Sequence, residues 1–332
     1  MMKEHMRVTA HDVAEAAGVS RSAVSRAFTE GASIAPEKRQ RILSIASMLG
    51  YQPNRIARGL SGRRTGLVAL VFGRVSSPYE AWLLDHLSQA IRARGKWPLL
   101  LSAFPEGELD GALAHALSYQ VDGAIVAAGS VSRTLAERCA ALGAPIVMVG
   151  RILDGVAVDA VCCDNALGMR QLVELLVSEG RHRIAWIGGK AEAFSNVERQ
   201  AGLLEALSGW GLEPWARRVA DYSVEGGMLQ ALALLTADER PDAILCGNDA
   251  MALGAISAAR RLGLGVPEEI AIAGFDDIPA AAWEPYLLTT VCNPVAETAA
   301  QALRLLEQRI DDGARPHEVV RLTPRLVRRR SA

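Results

Sequence analysis

A chain of 332 residues, half of them apolar and 22% charged, has the makeup of a soluble globular protein, with room for a small domain and a larger two-lobed body. A net charge of −1 excludes a uniformly basic or acidic protein, but it conceals an asymmetry: residues 1–64 hold eleven Lys and Arg against five acids, leaving +6 there and −7 on the remainder. No run reaches the ~18 apolar residues of a membrane span, and the opening MMKEHMRVTAHD lacks an apolar secretion segment, so a cytoplasmic protein is expected.

In chain order, the stretch Val8–Phe28 comes first. Val13, Ala14 and Ala17, then Val19, Ala23, Val24 and Ala27, fall at the three- and four-residue spacings of amphipathic helices. Gly18 between them suits a positive φ that closes one helix, and Ser20 suits the cap of the next. The pattern predicts a helix-turn-helix. If Ala23, Val24 and Ala27 face the first helix, Arg21, Ser22, Ser25 and Arg26 point outward. A recognition helix needs such side chains free to reach base edges, where Arg pairs bidentately with guanine. An ordinary surface hairpin with solvated arginines has the same pattern. The basic front is the electrostatic footprint of a DNA-reading head on a separate body, although a charge run by itself is often only a solvated face. Ala35-Pro36-Glu37 then opens a third helix that runs to Gly50 with Ile42, Ile45, Ala46 and Leu49 as its stripe.

From Gly66 short β-rich runs alternate with helical stretches. Strands are expected at Leu67–Phe72, Pro98–Ala103, Asp122–Ala127 and Pro145–Val149, with helices near 80–94, 109–119 and 132–142. The alternation resumes with strands near 183–188, 217–220, 242–246 and 269–274, and helices near 166–180, 195–210, 225–236 and 248–262. Such alternation predicts two α/β, doubly wound, parallel-sheet lobes with a cleft between them. In open α/β sheets ligands bind beyond the carboxyl ends of the strands. There the sequence places Tyr79, Glu80, Ser130 and Arg151 in the first lobe, and Ser195, Asn196, Arg199, Tyr222, Asn248 and Asp276 in the second. Amides, carboxylates, arginines and aromatics converging on a cleft suit a polar, hydroxyl-rich molecule. Asn248-Asp249 precedes a helix; Asn248 is read as a pocket residue and Asp249 as its cap or a lobe contact. Asp164-Asn165, also before a helix, is read as structural, Gly188-Gly189-Lys190 as a plain turn, and Trp82, Trp186, Trp210 and Trp283 as packing.

Catalysis is not expected. The six histidines have no partner at telling spacing, and no GxGxxG follows a strand. Cys139, Cys162, Cys163, Cys246 and Cys292 show no metal-ligand spacing and read as free thiols, so neither a cofactor nor a metal is expected. The open alternatives are a periplasmic binding protein, which the basic head disfavours, and a constitutive DNA-binding protein, which needs no polar cleft.

Several of these motifs together closely resemble the LacI/GalR family of bacterial transcription regulators. The resemblance rests on VTxxDVAxxAGVSxxxVSRxF, the later RxxI, GYxPNxxARxL and the body beyond, and so covers nearly the whole chain. It implies a helix-turn-helix headpiece over 1–50, a hinge helix over 51–64, and a periplasmic-binding-protein-like body over 65–332. It further implies that the chain crosses between lobes, with the first lobe at about 65–165 and 293–322 and the second at 166–292 and 323–332, a helix near 294–311 returning to the first. DNA contacts are implied for Thr9, Ser20, Arg21, Ser22, Ser25, Arg26, Asn54, Arg55, Ala57 and Arg58, with Leu60 as the wedge that kinks the minor groove. Arg199, Asp276 of GFDD, Asn248 of GND, Tyr222 and Tyr79 match effector-binding positions. Glu80 stands where many relatives have an aromatic, and Gly150-Arg151 where several have an acid. Arg151 with Arg199 would favour a sugar acid over a neutral sugar. The implied partners are a double-stranded DNA operator, a small polar effector and a second copy of the chain, with no membrane; the implied role is a ligand-responsive regulator, a repressor above all.

Overall fold

The computed structural model describes residues 8–29, 31–52, 64–73, 75–103, 109–127 and 133–332, and the chain divides into two compact units at Thr65/Gly66. In the first unit, α1 (Ala10–Ala16), α2 (Arg21–Ala27) and α3 (Pro36–Met48) pack around Val13, Ala17, Val24, Ala27, Ile42 and Ala46. Thr9 and Asp12 form a reciprocal capping box on α1, which holds the Asp12 carboxyl below its ordinary range. Gly18 takes φ +60° to end that helix, and Ser20 Oγ accepts from Ala23 N at 3.3 Å to begin α2. Arg39 donates from Nη2 to Thr29 O at 3.1 Å and Ala32 O at 3.0 Å, and Arg41 donates to Ala17 O, so α3 fastens the connections it packs against. The hinge helix is expected over 51–64, of which residues 53–63 lie outside the described residues.

The second unit holds two six-stranded sheets. The first is built from β1 (Leu67–Phe72), β2 (Trp97–Ser102), β3 (Gly123–Ala127), β4 (Ile146–Val149), β5 (Asp159–Cys163) and β11 (Val319–Leu322), in the order β11-β5-β4-β3-β1-β2 with parallel pairings throughout. The helices α4 (Pro78–Ala93), α5 (Leu109–Ser118) and α6 (Arg133–Ala141) connect its strands. The second sheet contains β6 (Ile184–Gly188), β7 (Ala216–Val219), β8 (Ala243–Cys246), β9 (Ala271–Asp276), β10 (Thr289–Cys292) and β12 (Arg325–Val327), in the order β12-β10-β9-β8-β6-β7. Only β12 runs antiparallel to its neighbour there. Its helices are α7 (Asn165–Ser178), α8 (Phe194–Gly209), α9 (Val224–Leu235) and α10 (Asp249–Arg261).

Three stretches pass between the sheets: Cys163 to Asn165, Cys292 to Val295, and Leu322 to Arg325. After the second, α11 (Val295–Asp311) returns to the first sheet and buries Ala299, Ala302, Leu303, Leu305 and Leu306 against β3, β4 and β5 and against α4. Near-continuous apolar strands such as LVALVF and IAWIG are what a sheet covered on both faces requires. Behind α11, Asp159 is fully buried and accepts a bidentate pair from Arg309 (Nε 2.9 Å, Nη2 3.1 Å) and a bond from Glu318 N at 2.8 Å. Arg309 also donates to the carbonyls of Gly313, Arg315 and Pro316, so one guanidinium secures the loop into β11.

Of the four tryptophans expected to pack, Trp186 is buried and Trp82 half-buried, whereas Trp210 and Trp283 are more than half exposed. Both follow a helix end, where an apolar residue has no facing layer to enter.

Candidate functional site

In the headpiece, Ala23, Val24 and Ala27 are buried while Arg21, Ser22, Ser25 and Arg26 are exposed, so α2 presents one apolar and one polar face. Arg26 Nε donates to Ser22 O at 3.4 Å, and the Ser20 and Ser22 hydroxyls lie 2.9 Å apart. Arg21 carries no such tie to its own helix among the hydrogen bonds of the described residues. Thr9 is exposed and engaged in its cap. Asn54, Arg55, Ala57, Arg58 and Leu60 lie outside the described residues.

In the body, the expected cleft residues meet around one buried ion pair. Arg199, in the second turn of α8, donates from Nη2 to Asp276 Oδ1 at 3.1 Å, and both side chains are about 5% exposed. Its Nη1 donates to Gly247 O at 2.5 Å and its Nε to Asn165 Oδ1 at 2.9 Å. The guanidinium lies 3.7 Å from the centroid of the Phe275 ring, a cation–π stack. Asp276 ends β9 at φ +118° and Asp277 follows at φ +56°, a reversal that turns the first carboxylate to Arg199 while the second accepts from Arg329 at 2.6 Å. Asn293 Nδ2 adds a 3.3 Å bond to Asp276 Oδ1. Burial nonetheless leaves the Asp276 carboxyl above its ordinary range, against the opposing pull of Arg199.

Tyr79, in the first turn of α4, comes from the first lobe, and its ring packs against the apolar cores of both lobes. Burial raises its phenol pKa and the Asp276 carboxylate adds to that, while Arg199 and a hydrogen bond with Asn293 oppose it. Tyr222, at φ +66°, lays its ring over Gly189: a Cβ at that glycine would fall 1.9 Å from the ring. The Tyr222 hydroxyl is buried near Ser195 without a hydrogen bond of ordinary geometry. Asn196 Oδ1 accepts from Gly189 N at 2.8 Å, which fixes the floor of this corner.

Other expected site residues are committed elsewhere. Glu80 Oε2 accepts from Ser76 N and Ser77 N, both at 2.9 Å, as the acid of a capping box on α4. Asn248, not Asp249, is the N-cap of α10: its Oδ1 accepts from Met251 N at 3.0 Å and its Nδ2 donates to Tyr222 O at 3.2 Å. Asp249 is fully buried, accepts from Ile278 N at 2.8 Å and from Thr290 Oγ1, and has its pKa pushed up to about 8 by burial and the nearby Asp276 charge. Arg151 is half-buried, and that burial lowers its pKa; Ser195 is half-buried, and Ser130 lies outside the described residues. Asn165 and Asn293 joined the cluster without a sequence signal of their own. Asp164 does cap α7, as a structural reading of that pair expects, but its neighbour reaches the ion pair.

Among the described residues no group of three or more His, Cys, Asp or Glu could hold a metal ion, and no helix is long and apolar enough to cross a membrane. All five cysteines are free, and all but Cys292 are buried.

A helical DNA-binding unit followed by two parallel-sheet lobes around a buried polar cluster defines a ligand-sensing transcription regulator. Residues 9–54 match the model for bacterial regulatory proteins of the lacI family, and residues 173–332 match a periplasmic binding protein-like domain. The HTH-type transcriptional regulator MalR of Streptomyces coelicolor is 34% identical, over 96% of this chain and 95% of that protein. Catabolite control protein A of Priestia megaterium is 30% identical, over 98% and 99%. Among solved structures, the lac repressor dimer bound to operator and the anti-inducer ONPF matches with a TM-score of 0.88 at 26% identity, over 98% of this chain and 99% of that one. A complex of the transcriptional regulator CelR with cellobiose matches at 0.72 and 30%, over 98% and 100%. The chain belongs to the lacI family of bacterial regulatory proteins, whose members are transcription regulators.

Proposed function

We propose that the chain is a cytoplasmic repressor whose dimer reads a pseudo-palindromic operator and whose grip changes when a small hydroxyl-rich metabolite enters the cleft. The buried Arg199–Asp276 pair beside the unpartnered Tyr222 hydroxyl carries this reading. A buried phenol that lacks a partner is a place for a ligand hydroxyl to bond. Arg199 is already balanced by Asp276, and Glu80 is engaged in its cap, so the cluster offers polarity rather than a net positive charge. That favours a neutral carbohydrate over a sugar acid, and the cellobiose held by CelR supports the same class. Half-buried Arg151 is the feature that would favour an acid instead.

In this reading Arg21, Ser22, Ser25 and Arg26 meet the major groove, with Thr9 and Ser20 at its edge. Residues 51–64 serve as the hinge, and Asn54, Arg55, Ala57, Arg58 and Leu60 make its minor-groove contacts. Tyr79, Arg199, Tyr222 and Asp276 hold the effector; Ser130, Ser195, Asn196 and Arg151 complete the cleft, and Asn248 and Glu80 support it through their caps. One headpiece buries too little surface for tight specific binding, so two half-sites are read by two copies. The effector shifts operator affinity only if it binds two arrangements of the body unequally.

Isothermal titration against neutral sugars and the corresponding sugar acids tests the ligand class. A neutral sugar that binds wild type and fails on Asp276→Ala is the expected result. An acid that alone binds, and loses affinity with Arg151→Ala, would replace it. Asp276→Ala should keep effector-free operator binding; its loss would place the residue in the fold rather than the response.

A further inference from the structure

Beyond the pocket, a line of polar contacts starts beside one place where the chain passes between the lobes and runs through the other two. It begins on β11 of the first lobe, where Arg321, in register with Cys162 of β5, donates from Nη2 to Glu198 Oε1 at 2.8 Å. Glu198 belongs to α8 of the second lobe. Its other oxygen, Oε2, accepts from Asn165 Nδ2 at 2.9 Å, and the same amide donates to Cys163 O at 3.3 Å. With its amide nitrogen so engaged, Asn165, at the first crossing, turns Oδ1 to Arg199 Nε at 2.9 Å. A guanidinium only donates and a carboxylate only accepts, so this orientation of the amide satisfies both neighbours and the flipped one satisfies neither. Arg199 then bonds Asp276, and Asp276 bonds Asn293 at the second crossing. The third crossing follows directly on β11, one residue beyond Leu322.

We propose that Glu198 is a positioning residue that couples the relative orientation of the two lobes to the arginine of the ligand pocket, an inference that rests on reading the pocket as the effector site. Arg321 rides on one lobe and Glu198 on the other, so rotation about the crossings changes their separation directly. With the pair made, the Glu198 carboxylate holds the Asn165 amide and the amide holds Arg199 Nε. With it broken, a carboxylate only 19% exposed loses its charged partner and is drawn towards water, and the amide loses the partner that sets its orientation. Coupling of this kind is reciprocal: a ligand that fixes Arg199 also favours the lobe arrangement in which Arg321 reaches Glu198.

The test uses the full chain without ligand or DNA. Nitroxides placed at exposed Ser118→Cys on α5 and Ser208→Cys on α8, in a Cys292→Ser background, report the interlobe distance by electron–electron double resonance. Nitrogen NMR follows solvent exchange of the Arg199 Nε proton, assigned by its loss in Arg199→Lys. Arg321→Met should widen the interlobe distribution about twofold and speed Nε exchange about tenfold, while Arg321→Lys keeps the wild-type values. Adding Arg321→Met to Glu198→Ala should change nothing further, because the two act through one contact. Wild-type width and exchange in Arg321→Met, or effects that sum in the double variant, would overturn the coupling. Neither readout depends on what the pocket binds. A failed sugar titration would therefore remove the effector reading alone, and unchanged distances would remove the coupling alone.

Discussion

At the scale of single residues the pocket is held by unusual commitments. Gly189 exists to leave room for the Tyr222 ring, so Gly189→Ala must expel that ring. Overpacking of this kind costs about 1–3 kcal/mol; urea unfolding should show that loss, and titration with a bound sugar should show the ligand response gone. Asp249 gives a pH signature. Its pKa is raised on folding from 3.8 to about 8, so the folded state holds the proton more tightly than the unfolded one. Stability is therefore greatest below the unfolded value and declines as pH rises through about 4 to 8. Melting curves between pH 5 and 8 should show wild type losing stability with rising pH and Asp249→Asn losing less; equal slopes would show that this carboxyl does not titrate there. The residues of this region differ in how far their sequence neighbourhood reveals them. Arg199, in the helix after β6, and Asp276, the last residue of β9, stand in recognisable sequence patterns. Asn165 and Asn293 do not, because what they touch depends on where the chain crosses between sheets, and no local periodicity encodes a crossing.

The elements themselves were legible where they were long or apolar. The alternation from Leu67 onward is a strand–helix rhythm, and the observed strand and helix ends fall within a few residues of it. β5, β10, β11 and β12 were not among the expected strands; the last three span only three or four residues, and VVRL and RLV alternate too briefly to separate from a loop. For β11 the partner is β5, more than 150 residues earlier, so pairing rather than propensity makes it a strand. In the headpiece the capping residues act locally, and two predictions belong to α2. Ser20→Ala should lower headpiece stability by about 1 kcal/mol, visible as faster amide exchange in α1 and α2 with the melting of the body unchanged. Arg21→Ala should weaken operator binding by roughly 1–3 kcal/mol and relax preference at one base pair. Competition with single-position operator variants checks this, and uniform weakening on all of them would make Arg21 a phosphate contact.

For the body as a whole, the Asp159–Arg309 pair ties the end of α11 to the strand entry beneath it. Removing one partner leaves a buried charge unmatched, so Asp159→Ala should cost about 3–5 kcal/mol in urea unfolding; a change below about 1 kcal/mol would mean that water reaches Arg309. The three passages between sheets carry a different consequence. Neither lobe is a continuous segment: the first needs α11 and β11, and the second needs β12, all from the final forty residues. During synthesis the headpiece can fold as soon as it leaves the ribosome, but both halves of the sensor must wait, unfinished and with apolar strands exposed, until translation is nearly over. A nascent chain halted before residue 295 would carry a competent DNA-reading head on a body that cannot yet respond.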